Sequence, residues 1–250
     1  MREYHVRICE RLGVKLPGPT RHPFAGLIAD KQGVLYGTTQ GASPGCHDNT
    51  TCGTAFRLTP PSTGQTEWTE TVLYQFCSLP NCADGGRPLA GLIADKQGVL
   101  YGTTQFGGAT DQGTVFKLMP PAKGQTEWTE TVLHSFAGRP NDGAHSQLGL
   151  IVDKKGALYG ATLNGGASNL GIVFKLTPPA RFQTEWTETM LYKFCSLPNC
   201  SDGAFSVGDL IPDKHGALYG ATLGGGAAGH GVVFKLSGAF GEKANRDPPE

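Results

Sequence analysis

The stretch from Gly91 to Leu148 recurs along the chain, and its period of about sixty residues constrains the fold before any single residue does. Leu27, Leu92, Leu150 and Leu210 open four copies, spaced by 65, 58 and 60 residues. Tyr36, Tyr101, Tyr159 and Tyr219 step identically, and Gly53, Gly113, Gly171 and Gly231 step by 60, 58 and 60. Trp68, Trp128 and Trp186 share one position of the repeat. A residue that occurs once per copy serves the repeat before it serves any unique site.

Each copy carries four strand-like runs. In the second copy they are Ala90 to Asp95, Val99 to Thr104, Gly113 to Leu118 and Trp128 to Phe136. All are rich in β-branched or aromatic residues and bounded by Gly, Pro or Asp. No window has the spacing of an amphipathic helix. Runs such as LIA and VFKL are apolar on both faces, which suits sheets covered on both sides. Between strands one and two, Asp30 to Gly33, Asp95 to Gly98, Asp153 to Gly156 and Asp213 to Gly216 are turn signals with Asp first and Gly last. Strands two and three are joined by Gly-rich loops. Paired prolines, Pro60-Pro61, Pro120-Pro121 and Pro178-Pro179, end strand three, because proline cannot donate to a ladder.

The chain is therefore expected to be all-β, a β-propeller of four-stranded repeats of about sixty residues, with four blades. Copies start near 26, 91, 149 and 209 within a single repeat domain, 21–237. Residues 1–20 are the least repetitive part, and Tyr4 to Cys9 resembles a worn fourth strand. The last copy ends after its third strand, so the spare strand is expected to complete the final blade and close the ring. Strand one should lie nearest the axis and strand four outermost, with Thr66-Glu67-Trp68-Thr69-Glu70 as a charged guard on an exposed edge. The polar segment 238–250 is expected to be a disordered tail. A larger ring, or one shared by two chains, is the alternative.

Lys plus Arg and Asp plus Glu number 21 each, so no basic footprint points to nucleic acid. No apolar run reaches membrane-spanning length. Seven cysteines form three local pairs and a remainder, Cys9. Cys77 and Cys82 bracket SLPN in copy one, and Cys195 and Cys200 bracket the same residues in copy three. Copy two lacks both together, which is what a bonded pair predicts. Cys46 and Cys52 bracket HDNT in an insertion that only the first Gly-rich loop carries. Disulfides are favoured over a zinc site, for which these spacings are long. Each would contribute about 2 kcal/mol by restricting the unfolded chain. Paired cysteines imply an oxidising compartment, yet residues 1–20 show no signal peptide. Either the start lies upstream of Met1 or the thiols stay reduced, and local pairing favours the first.

Candidate chemistry has a structural explanation at each repeated position. The four Asp residues cap their own turns. The Gly-rich loops lie between strands, with no helix to receive a phosphate and no shared Asp for calcium. The tryptophans, which could stack on sugars, suit packing against their own proline pair or the neighbouring blade better. The unrepeated polar residues His22, His47, Asp48, Asp111, His134, Arg139, His145, Arg181, His215 and His230 form no HxH, HExxH or GxSxG signal.

Taken together, LYGTTxxGG, GTVFKL, TETVLYxF and PNxxDG resemble the GloVer tandem-repeat proteins, also called Gloeo/Verruco repeat proteins. The resemblance covers residues 24 to 236 in four copies. It implies an exported bacterial repeat protein, often surface-anchored, and brings no catalytic residues. The expected function is a non-enzymatic extracellular or cell-surface binding or structural module, without cofactor or metal. Its partner would be a glycan or protein met through the loops. His47 and Asp48 of the insertion, with Asp111, are the expected contacts. A propeller hydrolase or lyase acting on extracellular glycans is the alternative. An enzyme should bring unrepeated carboxylates or histidines together in a pocket.

Overall fold

A computed structural model describes residues 25–41 and 52–241. The strand expected at Tyr4 to Cys9 lies outside the described residues. The chain divides into two compact units, Met1–Ser135 and Phe136–Glu250.

In the first unit, β1 (Ile28–Ala29), β2 (Leu35–Gln40), β3 (Gly53–Thr59) and β4 (Thr69–Phe76) form one antiparallel sheet in sequence order. The next copy repeats it with β5 (Ile93–Ala94), β6 (Leu100–Thr104), β7 (Thr114–Met119) and β8 (Thr129–Ser135). In the second unit a short ribbon of β9 (Gly143–Ala144) and β12 (Asn164–Gly165) accompanies two sheets. One consists of β10 (Ile151–Val152), β11 (Leu158–Ala161), β13 (Ile172–Thr177) and β14 (Thr187–Lys193). The other consists of β15 (Ala204–Pro212), β16 (Leu218–Gly224) and β17 (Val233–Leu236). Each repeat is an up-and-down meander, the blade of a β-propeller, and each unit holds two of the four blades. Among the described residues the only helices are two short 3-10 turns, Pro80–Cys82 and Pro198–Cys200.

The first strand is shorter than the apolar run suggested. Only Ile93 and Ala94 pair with Tyr101 and Leu100, because the Asp95 to Gly98 turn reverses the chain at once. Strand four carries a bulge in each copy that has one. Thus Ala55 faces Tyr74 while Phe56 faces Val72, and the same shift recurs at Val115/Phe116 and Val173/Phe174. The bulge turns Leu73 and the strand-ending Phe76 into the core.

Consecutive repeats are joined by aromatic contacts at one repeat position. Phe76 meets Phe116 with ring centroids 4.7 Å apart, Phe136 meets Phe174 at 5.2 Å, and Phe194 meets Phe234 at 5.1 Å. Trp128 packs edge-on against Tyr36 of the preceding copy at 6.4 Å. The fourth copy has no tryptophan, and Phe240 covers Tyr159 at 4.9 Å instead. The segment expected to be a tail thus begins in the core. Ala239 and Phe240 pack there, and the Phe240 N–H donates to the Gly216 carbonyl.

One further expectation changes. Glu70, Glu130 and Glu188 do not guard an edge; each is half-buried with one carboxylate oxygen out of solvent, while Glu67, Glu127 and Glu185 are exposed. In the last sheet, β17 pairs with β16 alone among the described strands. Val233 is 83% exposed, whereas Ala55, Val115 and Val173 at the same position are fully buried.

Candidate functional site

The turn after each first strand is held by its own aspartate. Asp30 Oδ1 accepts from the N–H groups of Gln32 and Val34, and Oδ2 accepts from the Tyr36 hydroxyl at 3.1 Å. Asp95 with Tyr101, Asp153 with Tyr159 and Asp213 with Tyr219 repeat the arrangement at 3.1, 2.9 and 3.1 Å. Burial first, then the carboxylate partner, pushes Tyr101 up to about 12. Asp213 is held below its ordinary value by the Ala217 N–H and its other donors. These carboxylates are occupied by the fold.

A second set of loops follows strand four. Cys77–Cys82 and Cys195–Cys200 are disulfide-bonded, which overturns the zinc alternative for these two pairs. Cys52 is also disulfide-bonded, and Cys46 lies outside the described residues. Inside the first loop sits Asp84, fully buried. It accepts from the Tyr74 hydroxyl at 2.9 Å, from the Ser78 N–H and hydroxyl, and from the Leu79 N–H. Asp202 is held likewise by Tyr192, Ser196 and Leu197. Burial raises Asp202, but these donors outweigh it and hold the carboxyl below its usual range. In copy two, which lacks the cysteines, Asp142 still accepts from the Ala137 N–H at 2.8 Å.

The aspartate loops reach the Gly-rich loops of the following copies. The carbonyls of Cys82, Asp142 and Cys200 accept from the N–H groups of Gly108, Gly166 and Gly226 at 2.9, 2.8 and 2.9 Å. Gly107 must be glycine here: its φ is +79°, and a Cβ would lie 2.4 Å from the Cys82 carbonyl oxygen. Asp111, an expected contact residue, stands in this loop with φ +56°. It is exposed, and its Oδ1 accepts from the Gly107 N–H at 2.8 Å. Asn169 makes the equivalent bond to Gly165 at 3.0 Å, and Gly229 fills the position in copy four. His47 and Asp48 lie outside the described residues.

Just after the aspartate loop is a position that the sequence reading did not recognise as a set. Arg87, His145 and Phe205 occupy it, with φ of +55°, +54° and +59°. Bulky residues rarely adopt this backbone. Each side chain meets a residue at or just beyond the end of the next copy's second strand. Arg87 lies over the Phe106 ring at 5.8 Å, His145 Nδ1 is 3.3 Å from Asn164 Oδ1, and Phe205 adjoins Gly224. The detectable signal was chemical variation, Arg against His against Phe, inside an otherwise constant repeat.

One carboxyl is strongly perturbed. Burial, and then the Asp84 charge, push Glu130 up to about 8. Both residues belong to repeated sets, with Glu70 and Glu188 on one side and Asp142 and Asp202 on the other. The second unit also has a groove of ≈ 450 Å³ lined by Asp153, Lys175, Thr177 and Thr189 among others. Its Asp153 caps the turn, and its Lys175 ammonium lies over the Tyr159 ring at 5.4 Å. Among the described residues, no group of three or more His, Cys, Asp or Glu could hold a metal ion. No described helix is long and apolar enough to cross a membrane.

The Gloeobacter/Verrucomicrobia repeat family model matches residues 21–243. The chain belongs to this family. In the Gloeobacter/Verrucomicrobia repeat of this chain, the family match spans all four copies and the loops just described. No curated protein matches the chain. Among solved structures, a luciferin-regenerating enzyme is similar at 14% identity and a TM-score of 0.47, over 88% of this chain. The chain spans 62% of that enzyme's length.

Proposed function

We propose that this protein is a non-enzymatic binding or structural module that works outside the cell through its loops. The observation that carries this reading is how its repeated carboxylates are used. Asp30, Asp95, Asp153 and Asp213 are capped within their turns, and Asp84 and Asp202 accept from a tyrosine and the backbone beside it. A carboxylate so committed is poorly placed to move protons for a substrate. The two disulfides support an oxidising compartment. The Cys46 to Cys52 insertion, with His47, Asp48 and the exposed Asp111, is the contact surface we propose first.

The glycan hydrolase or lyase reading draws on one observation, the raised Glu130 beside Asp84. Asp84 is fully buried, so the pair offers a substrate no direct access to that carboxylate. The test is to incubate the full disulfide-bonded chain with a panel of extracellular polysaccharides and proteins. Retention on a partner and the release of reducing ends or unsaturated sugars would both be measured. Retention without product supports the module. Product formed by the native chain and abolished in Glu130→Gln would replace it with the enzyme.

A further inference from the structure

We infer that the outer face of the last sheet is an assembly surface, and that its partner is the first copy of a second molecule of this chain. The inference does not depend on what the loops bind.

Strand register defines the face. Ile211 pairs with Tyr219, Tyr219 with Lys235, and Ala221 with Val233, so these residues share one side of the sheet. Leu223 joins them by alternation along β16. The other side is spent inside the second unit, where Leu210, Leu218, Phe234 and Leu236 pack with Tyr159, Ala161 and Val173 of copy three. On the outer side Ile211 is 66% and Leu223 63% exposed, beside the exposed Val233. Large aliphatic side chains gathered on one face, next to a strand edge unpaired among the described strands, mark a contact surface.

The equivalent faces show what covers such a surface. In copy one the face carries Ile28, Tyr36 and Ala55, and Leu92, Leu100, Phe116, Leu118 and Trp128 of copy two pack on it. In copy three it carries Ile151, Tyr159, Ala161 and Val173, and copy four packs on it. A copy is thus covered by the inner side of its successor, and among the described residues no fifth copy follows β17.

The matching inner side exists on copy one. Leu35, Phe56, Leu58 and Trp68 hold the positions of Leu100, Phe116, Leu118 and Trp128, and they form a cluster of their own. Leu27 belongs to this side and is 41% exposed, whereas Leu92, Leu150 and Leu210 are buried. One chain therefore exposes both halves of a joint that it builds elsewhere from the same residue types. A second molecule supplies both missing halves at once. The Lys235 ammonium over the Tyr219 ring at 5.5 Å is no obstacle, since Lys175 lies over Tyr159 at 5.4 Å beneath a covered face. The formal net charge is zero, so two molecules meet without net repulsion.

Head-to-tail joints of this kind either close into rings or run on as filaments. Two chains of four copies hold eight, the upper end of the usual propeller range of about 4–8 blades, so a closed pair is the product we expect.

The experiment is light scattering on the full disulfide-bonded chain, separated by size at concentrations of about 1 to 100 μM. The native chain should read twice its 26.3 kDa. Val233→Glu and Ile211→Glu on the copy-four face, and Leu27→Asp on the copy-one face, should each read 26.3 kDa with the native circular dichroism. Mixed in equal amounts, Val233→Glu and Leu27→Asp retain one intact face each, and the doubled mass should return. Failure of the mixture to pair overturns the inference. A contact between two last sheets would leave Leu27→Asp paired, and that result also overturns it. Open-ended larger species overturn the closed pair. A native chain of 26.3 kDa throughout overturns the assembly itself. If the variants on both faces then melt below the native chain, the chain's own first copy takes the face; if none does, the face serves a different protein.

Discussion

The Tyr159 hydroxyl donates to the Asp153 carboxylate at 2.9 Å from a side chain with no solvent exposure. The same carboxylate caps the N–H groups of Lys155 and Ala157, so one aspartate fixes a turn and satisfies a buried phenol. Asp153→Ala should destabilise the chain by about 2–4 kcal/mol, since it leaves the Tyr159 hydroxyl proton without its acceptor and uncaps the turn. Tyr159→Phe should cost about 1 kcal/mol. Urea unfolding of both single variants and the double would show a coupling of about 0.5–1.5 kcal/mol. Strict additivity would mean that the two side chains act separately.

The loop after strand four should depend more on its aspartate than on its sulfurs. Asp142 holds the copy-two loop without cysteines, by the same bond to a backbone N–H that Asp84 makes. Cys77→Ser with Cys82→Ser should cost about 2 kcal/mol, the loss expected from the unfolded chain's added freedom. Asp84→Ala should cost more, about 3 kcal/mol, because it removes the one acceptor shared by four part-buried donors and empties a fully buried site. Thermal unfolding ranks the two, and the opposite order would make the disulfide the principal constraint.

Glu130 gives a pH signature. Its folded value of about 8 lies above the ordinary 4.5, so the folded chain retains a proton that the unfolded chain releases. Its contribution is intact below about 4.5, declines as pH rises, and stops changing beyond about 8. Glu130→Gln cannot ionise, and its melting temperature relative to the native chain should climb steadily from pH 5 to pH 8. A constant difference across that range would show that Glu130 titrates normally.

Phe182 is 94% exposed at φ +73°, where the sister loops place Gly64 and Gly124 with open space around them. Arg181 lies over its ring at 5.2 Å, a surface contact worth little. Phe182→Gly should therefore stabilise the chain by about 0.5–1 kcal/mol, the relief of left-handed strain exceeding glycine's entropic cost. Chemical denaturation reads this directly. A loss of stability would reveal packing that the exposure conceals.

The period, the turns and the cysteine pairs were legible because each is written in local residue types. Asp first and Gly last specify a turn wherever they fall, and the joint absence of two cysteines in copy two marks them as partners. The Tyr36–Asp30 bond was half legible: both residues kept step, but only the folded hairpin shows that six positions apart means adjacent. Glu70 misled for a physical reason. Alternation separates the two faces of a strand, and when both faces can be covered it does not say which one meets water. Arg87 was hidden more deeply, since an arginine in a left-handed turn opposes local preference and only the copies in register expose it. Phe240 escaped because it takes over the tryptophan's place from a different distance along the chain.

The handshake from the Cys82, Asp142 and Cys200 carbonyls to Gly108, Gly166 and Gly226 joins each copy to its successor through backbone atoms alone. Such a joint is indifferent to which copy stands on either side. Unequal recombination that inserts or deletes one whole module therefore leaves these backbone bonds chemically unchanged. The gene can lengthen or shorten in steps of one blade, and selection can then act on the free side chains of a module whose fold it inherited ready-made.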